Sequence, residues 1–182
     1  KKILIILILV YSQLLSQQKI LIPMDLKQTD HLKAYGIAYF TLKNGMDVEW
    51  LLNYRGGSFL IDYNEKVAME CRLRGVLFEP ISGAESAEII SLISKPDNNM
   101  DVVKLEKAPK IAVYVPPNFR PWDDAVTLAL EYAEINYDKV WDSEVLQGKL
   151  KDYDWLHLHH EDFTGQYGKF YRDFNNTDWY IQ

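Results

Sequence analysis

The 182-residue sequence predicts an α/β protein built on an open, doubly wound, mostly parallel sheet with helices on both faces, incomplete at its C-terminal end. Three observations point there. Short apolar runs rich in Ile, Leu and Val alternate with longer stretches of helical periodicity. Two stretches, Ile20 to Asn53 and Ile111 to Asp142, share a strand-helix-strand order, which reads as common βαβ logic rather than a repeat. The chain also stops at Asp178-Trp179-Tyr180-Ile181-Gln182 without a closing polar tail, as a truncated fold would.

The first sixteen residues read as an address. Lys1 and Lys2 precede the unbroken run Ile3 to Val10, and Ser12-Gln13 to Ser16-Gln17 supplies a polar exit. This is the charged, apolar and small-residue order of a secretion signal, with cleavage expected after Ser16 and the domain running over residues 17–182. The run is well short of the roughly 20 residues that span a bilayer. A permanent anchor or a buried strand are the other readings, and no cysteine at the exit suggests lipid attachment. The absence of an initiating Met agrees with a partial reading frame.

After the signal, Ile20-Leu21-Ile22 is a strand closed by Pro23, and Asp30 to Lys43 is a helix ended by Asn44-Gly45. Val48 to Leu52 is a second strand, expected to lie parallel to the first through a right-handed crossover. A glycine turn at Tyr54 to Ser58 leads to the short run Phe59-Leu60-Ile61, then to a helix from Asn64 to Arg74 capped by Gly75. Val76 to Glu79 is a third main strand and Glu85 to Ile93 another amphipathic helix. Asp97 to Pro109 is polar and turn-rich, the expected long connection. The pattern restarts with Lys110 to Val115 and a helix from Trp122 to Glu134 that Asp123 or Asp124 can cap. Strands at Asn136 to Trp141 and Asp154 to Leu158 follow, joined by a connector from Ser143 to Leu150.

Composition narrows the function classes. Hydrophobic residues make up 48% and aromatics 13%, ample for a packed core. A net charge of -6 gives no basic field for nucleic acid or anionic lipid. The one cysteine, Cys71, allows neither an internal disulfide nor a thiolate cluster. Arg72 and Arg74 beside it could lower its thiol pKa, but it lacks the glycine-flanked strand-to-helix turn of a nucleophile. No cofactor and no membrane span after signal removal are expected.

The densest chemical cluster runs from His157 to Gln166, at the end of the last strand; His157, His159 and His160 are three of the four histidines. Strand alternation would place His157 and His159 on one face, where they could share a metal or carry a proton. Glu161 or Asp162 could orient an imidazole. These five are the candidate catalytic residues, with His157 and His159 the weak metal candidates, although the spacing matches no established zinc signature. Simple hydrogen bonding of a strand end and its loop is the alternative. Thr164 and Gln166 in the same loop, and Arg55, Gly56 and Gly57 in the glycine turn, are candidate ligand-binding residues. The turn could present amides and a guanidinium to an anion or merely need glycine for its backbone angles.

The segments Ile20 to Asp25, His31 to Gly36, Trp50 to Phe59, Met100 to Lys110 and Trp155 to Gly168 resemble an exported bacterial family labelled asparagine synthetase B. The resemblance covers nearly everything after the signal. It implies a fold like class I glutamine amidotransferases, flavodoxin-like in its sheet, with this chain as the N-terminal portion. It also implies a glycine-rich turn bearing a cysteine beyond Gln182, so that no nucleophile falls on a position of this chain. ATP-dependent asparagine synthesis does not fit: a mature N-terminal cysteine and an SGGxDS-type loop would be needed, and neither Gln17 nor Gly56-Gly57-Ser58 supplies them. The expected activity is therefore thiol-dependent hydrolysis or transfer of an amide or ester in the periplasm or cell envelope, on a small-molecule or polymer substrate. The alternatives are a non-catalytic binding module on the same fold and a metal-dependent hydrolase using the cluster from His157 to Asp162.

Overall fold

The computed structural model describes residues 18–115, 124–158 and 171–181. The proposed signal lies outside them, as do His159, His160, Glu161, Asp162, Thr164 and Gln166. Among the described residues, no helix is long and apolar enough to cross a membrane. The protein is mixed α/β and comprises two compact units. The first takes in the chain to Ala108 together with Ala129–Ile135, and the second comprises Pro109–Leu128 and Asn136–Gln182.

The first unit holds strands β1 (Lys19–Ile22), β2 (Val48–Leu52), β3 (Ser58–Asp62), β4 (Glu79–Ile81) and β5 (Asp101–Leu105). They form one sheet ordered β4-β1-β3-β2-β5. Every neighbouring pair is antiparallel, which corrects the parallel sheet expected here. The reason is local. The glycine turn folds β3 straight back onto β2, and β1 pairs with the other edge of β3. Since β1 and β2 both oppose β3, they run in the same direction with β3 inserted between them. The first strand-helix-strand stretch is thus a split βαβ unit, not a pair of neighbouring parallel strands. Two further boundaries change. The third main strand begins at Glu79 rather than Val76, and the supposed connection contains β5, whose Asp-Val-Val-Lys-Leu pattern suits a half-exposed edge strand.

Three helices cover this sheet. Helices α1 (His31–Lys43) and α2 (Glu65–Arg74) start at Asp30 and Asn64, whose side chains accept from the Lys33 and Lys66 amides. Gly75 ends α2 in the left-handed conformation at φ 71°. Both pack on the face formed by Ile20, Ile22, Val48, Phe59 and Ile61, through Ile37, Leu42, Val67 and Cys71. Alternation sends Leu21, Leu51 and Leu60 to the opposite face, under Ile93 of α3 (Gly83–Ile93). Each fully buried side chain of this size contributes about 1.5–3 kcal/mol. Buried Gln28 ties the loop after β1 to the approach to β4. Its amide donates to the Pro23 and Leu77 carbonyls and accepts from the Leu77 and Thr29 amides.

The second unit carries β6 (Ile111–Tyr114), β7 (Asp138–Val140) and β8 (Trp155–Leu158), ordered β7-β6-β8 and parallel throughout. Helix α4 (Ala125–Tyr132) follows β6 in the chain. Helix α5 (Asp142–Leu146) and a short 3-10 turn at Lys149–Asp152 connect β7 to β8. The final described helix is α6 (Asp178–Ile181).

Candidate functional site

The chain leaves β6 for β7 on one side and then crosses back to β8 on the other side of β6. The strand order therefore reverses between β6 and β8, and in parallel sheets the crevice beyond the carboxyl ends of two such strands is where ligands gather. His157 lies next to the last residue of β8, opposite Val113 of β6. Asp124 lies just ahead of α4, the helix that leaves this same rim.

Asp124 and His157 meet there. One carboxylate oxygen of Asp124 takes bonds from the Val126 amide at 2.7 Å and the Thr127 amide at 3.0 Å, capping α4. The same oxygen lies 3.2 Å from His157 Nε2. Burial works against ionising Asp124, but the Thr127 and Val126 amides and the imidazole outweigh it and hold the carboxyl below its ordinary range. Both side chains are largely buried, at 18% exposed for His157 and 12% for Asp124. With Asp124 as acceptor, Nε2 carries the ring proton and Nδ1 is left as the basic nitrogen. Trp155, on the same face of β8, stands edge-on to the imidazole with ring centroids 6.5 Å apart. The arrangement can orient an imidazole for accepting or passing a proton.

On the other face, Tyr114, Leu156 and Leu158 join Val145, Leu146, Leu150 and Asp142 around an apolar hollow of about 430 Å³. At its polar end the Tyr114 hydroxyl donates to Asp142 at 2.6 Å, and the Tyr114 ring stacks on Trp141 at 4.8 Å.

The glycine turn lies in the first unit and performs a different task. Arg55 grips Glu79 with both terminal nitrogens, at 2.8 and 3.0 Å, and donates from Nε to Asp25 at 2.8 Å. Those carboxylates push its already high pKa further up. The hollow beside it is walled by Glu79, Glu85 and Glu88, which repel an anion. Gly56, at φ +83°, sits so close to Met24 that an added Cβ would meet the Met24 carbonyl oxygen at 2.3 Å. The Gly57 amide is used within the turn, on the Tyr54 carbonyl. Arg55, Gly56 and Gly57 thus lock the loop after β1 against β4, and the positive charge expected to attract an anion is neutralised internally.

Cys71 is fully buried in α2, and burial pushes its thiol up to about 12 against the opposing pull of Arg72 and Arg74. The depressed thiol that flanking arginines suggested is absent because desolvation dominates. Among the described residues, no three His, Cys, Asp or Glu side chains are grouped to hold a metal ion. The sequence reading gave Asp124 only a capping role. What could have exposed its second role is the strand order, since a helix start after β6 and a side chain on β8 share one rim only if those strands are neighbours.

Comparison with known proteins returned no matching family model, no matching curated protein and no matching solved structure.

Proposed function

We propose that the second unit opens a flavodoxin-like, doubly wound sheet of the kind found in class I glutamine amidotransferases. On this reading the chain belongs to an exported protein that hydrolyses or transfers an amide or ester. The observation that carries the reading is the parallel order β7-β6-β8 with the Asp124–His157 pair beyond its carboxyl rim. Residues ahead of Gln18, including the signal, bear the export part of the proposal.

The reaction needs a nucleophile. Cys71 is buried and protonated in the first unit, so the thiol must come from polypeptide other than these 182 residues. A thiolate adds to the substrate carbonyl, the amine or alcohol departs with a proton, and water then releases the acid from the thioester. His157, held through Nε2 by Asp124, forms one polar wall of that pocket and presents Nδ1 to the substrate or a proton in transit.

The test presents chromogenic amides and esters to the protein together with the polypeptide that continues its reading frame. Turnover abolished by iodoacetamide and reduced at least about tenfold by His157→Gln supports the proposal. Turnover indifferent to thiol alkylation overturns it. Absence of turnover with saturable binding of an envelope polymer establishes the non-catalytic binding module instead.

A further inference from the structure

The apolar hollow of the second unit has a chemical polarity of its own, on the sheet face opposite His157. All of its lining residues belong to that unit. Strand pairing sets Tyr114 of β6 beside Leu158 of β8, and alternation brings Leu156 to the same face. Asp142, Val145 and Leu146 stand at helical spacing on one side of α5, and Leu150 of the 3-10 turn adds to the wall. Leu146 is 87% exposed, and Val145 and Leu156 are each more than a third exposed. Aliphatic side chains thus face a space of about 430 Å³, within the roughly 300–1,000 Å³ of small-molecule pockets. Covering them removes apolar surface from water.

Two lining residues are polar, and their chemistry selects the end of the ligand that meets them. The Tyr114 hydroxyl commits its proton to Asp142 at 2.6 Å, so the pair presents acceptor oxygens and a negative charge. Trp141, stacked on the Tyr114 ring at 4.8 Å, steadies the phenol. Among the described residues, no lysine, arginine or histidine pairs with Asp142. A carboxylate or phosphate is repelled there, whereas an ammonium brings both the donors and the opposite charge.

We propose that this hollow is a binding site for a small linear alkylamine, with its methylenes between α5 and β8 and its ammonium on Asp142. The aliphatic lining offers nothing to a second charge, so a diamine of the same length forfeits the burial of its far end. The site draws on neither His157 nor a thiol, so it stands or falls independently of the proposed reaction.

The experiment titrates the full chain, labelled at its leucine and valine methyls, with octylammonium, 1-octanol, octanoate and 1,8-diammoniooctane at equal ionic strength. Octylammonium is expected to bind saturably and to shift the methyls of Val145, Leu146, Leu150, Leu156 and Leu158. Those of Leu21, Leu51 and Leu60 in the first unit should stay in place. Each methylene removed from the ligand should weaken binding about twofold to fourfold. The diamine should bind more weakly than octylammonium, whereas general attraction to a chain of net charge -6 would favour it. Asp142→Asn, which keeps an acceptor for Tyr114, should weaken octylammonium about fivefold, to the level of octanol. Leu146→Ser should weaken it at least about threefold, and Leu73→Ser, at an exposed leucine of α2, should change nothing. Absence of saturable binding, shifts spread over both units, or equal affinity for octanoate overturns the proposal. So does unchanged affinity in Asp142→Asn and Leu146→Ser. If Leu146→Ser does not fold, Asp142→Asn and the ligand series decide.

Discussion

Replacing Asp124 by alanine removes two things at once, and the structure allows each to be sized. The carboxylate caps α4 through two amides, a loss of about 1 kcal/mol. It also holds His157 at a largely buried contact, for a further loss of about 1–2 kcal/mol. Asp124→Ala is therefore expected to destabilise the second unit by about 2–3 kcal/mol. Asp124→Asn keeps an equivalent cap and a neutral acceptor, so its cost should stay below about 1 kcal/mol. A double-mutant cycle of Asp124→Ala with His157→Gln isolates the pair, with an expected coupling of about 1 kcal/mol. The measurement is urea-dependent amide exchange in β6 and β8, which follows this unit without assuming that the whole chain unfolds in one step. Acid adds a second signature. Because the folded carboxyl is held below its ordinary range, its contribution is complete above the unfolded value and disappears as pH falls through the folded one. Asp124→Asn should remove that part of the acid-side slope. A coupling under about 0.3 kcal/mol, with Asp124→Ala no costlier than Asp124→Asn, would refute the pair as an organised unit.

Other outcomes follow from the first unit. Gly56→Ala should cost well over about 3 kcal/mol and prevent the turn from closing, whereas Gly45→Ala, also at positive φ but with open space around it, should cost about 1–2 kcal/mol; thermal melts of the two variants compare them directly. Cys71 should resist maleimide labelling at neutral pH until the chain is unfolded by urea, and labelling at the native rate of an exposed thiol would contradict its burial. Since its thiol is raised in the folded state, its contribution is present below the ordinary thiol range and is lost as pH rises from there toward about 12, a loss that Cys71→Ala should lack. Arg55→Lys should destabilise by about 1–2 kcal/mol in urea titrations, because a lysine cannot span both Glu79 oxygens and Asp25 together.

Local signals in the sequence had definite structural outcomes. The periodic run from Asn64 became α2, ended by Gly75 as expected, and the unbroken apolar run Ile20-Leu21-Ile22 emerged as a strand. The strand carrying His157 also emerged in its expected place, at Trp155–Leu158. These features depend on residues close together in the chain, where capping, periodicity and turn chemistry act directly. Strand partnership does not. Nothing within Ile20 to Ile22 distinguishes a neighbour at β2 from one at β3, because both arrangements bury the same side chains; the fold-back at Tyr54 to Gly57 decides it. The edge strand β5 was hidden for a related reason, since Asp101-Val102-Val103-Lys104-Leu105 lies within a polar, turn-rich stretch and looks like part of a connection until β2 lies beside it.

From the order of its residues alone, this chain was bound to be mixed α/β, to start helices at Asp30 and Asn64, and to bring the segment carrying His157 out as a strand. Only tertiary structure decided that five of the described strands would form an antiparallel sheet and three a parallel one, and that Asp124 would meet His157 across 33 positions of sequence. The physical reason is that caps and periodicities are settled by hydrogen bonds within a few residues, while pairing order is settled by which distant apolar faces can be buried together.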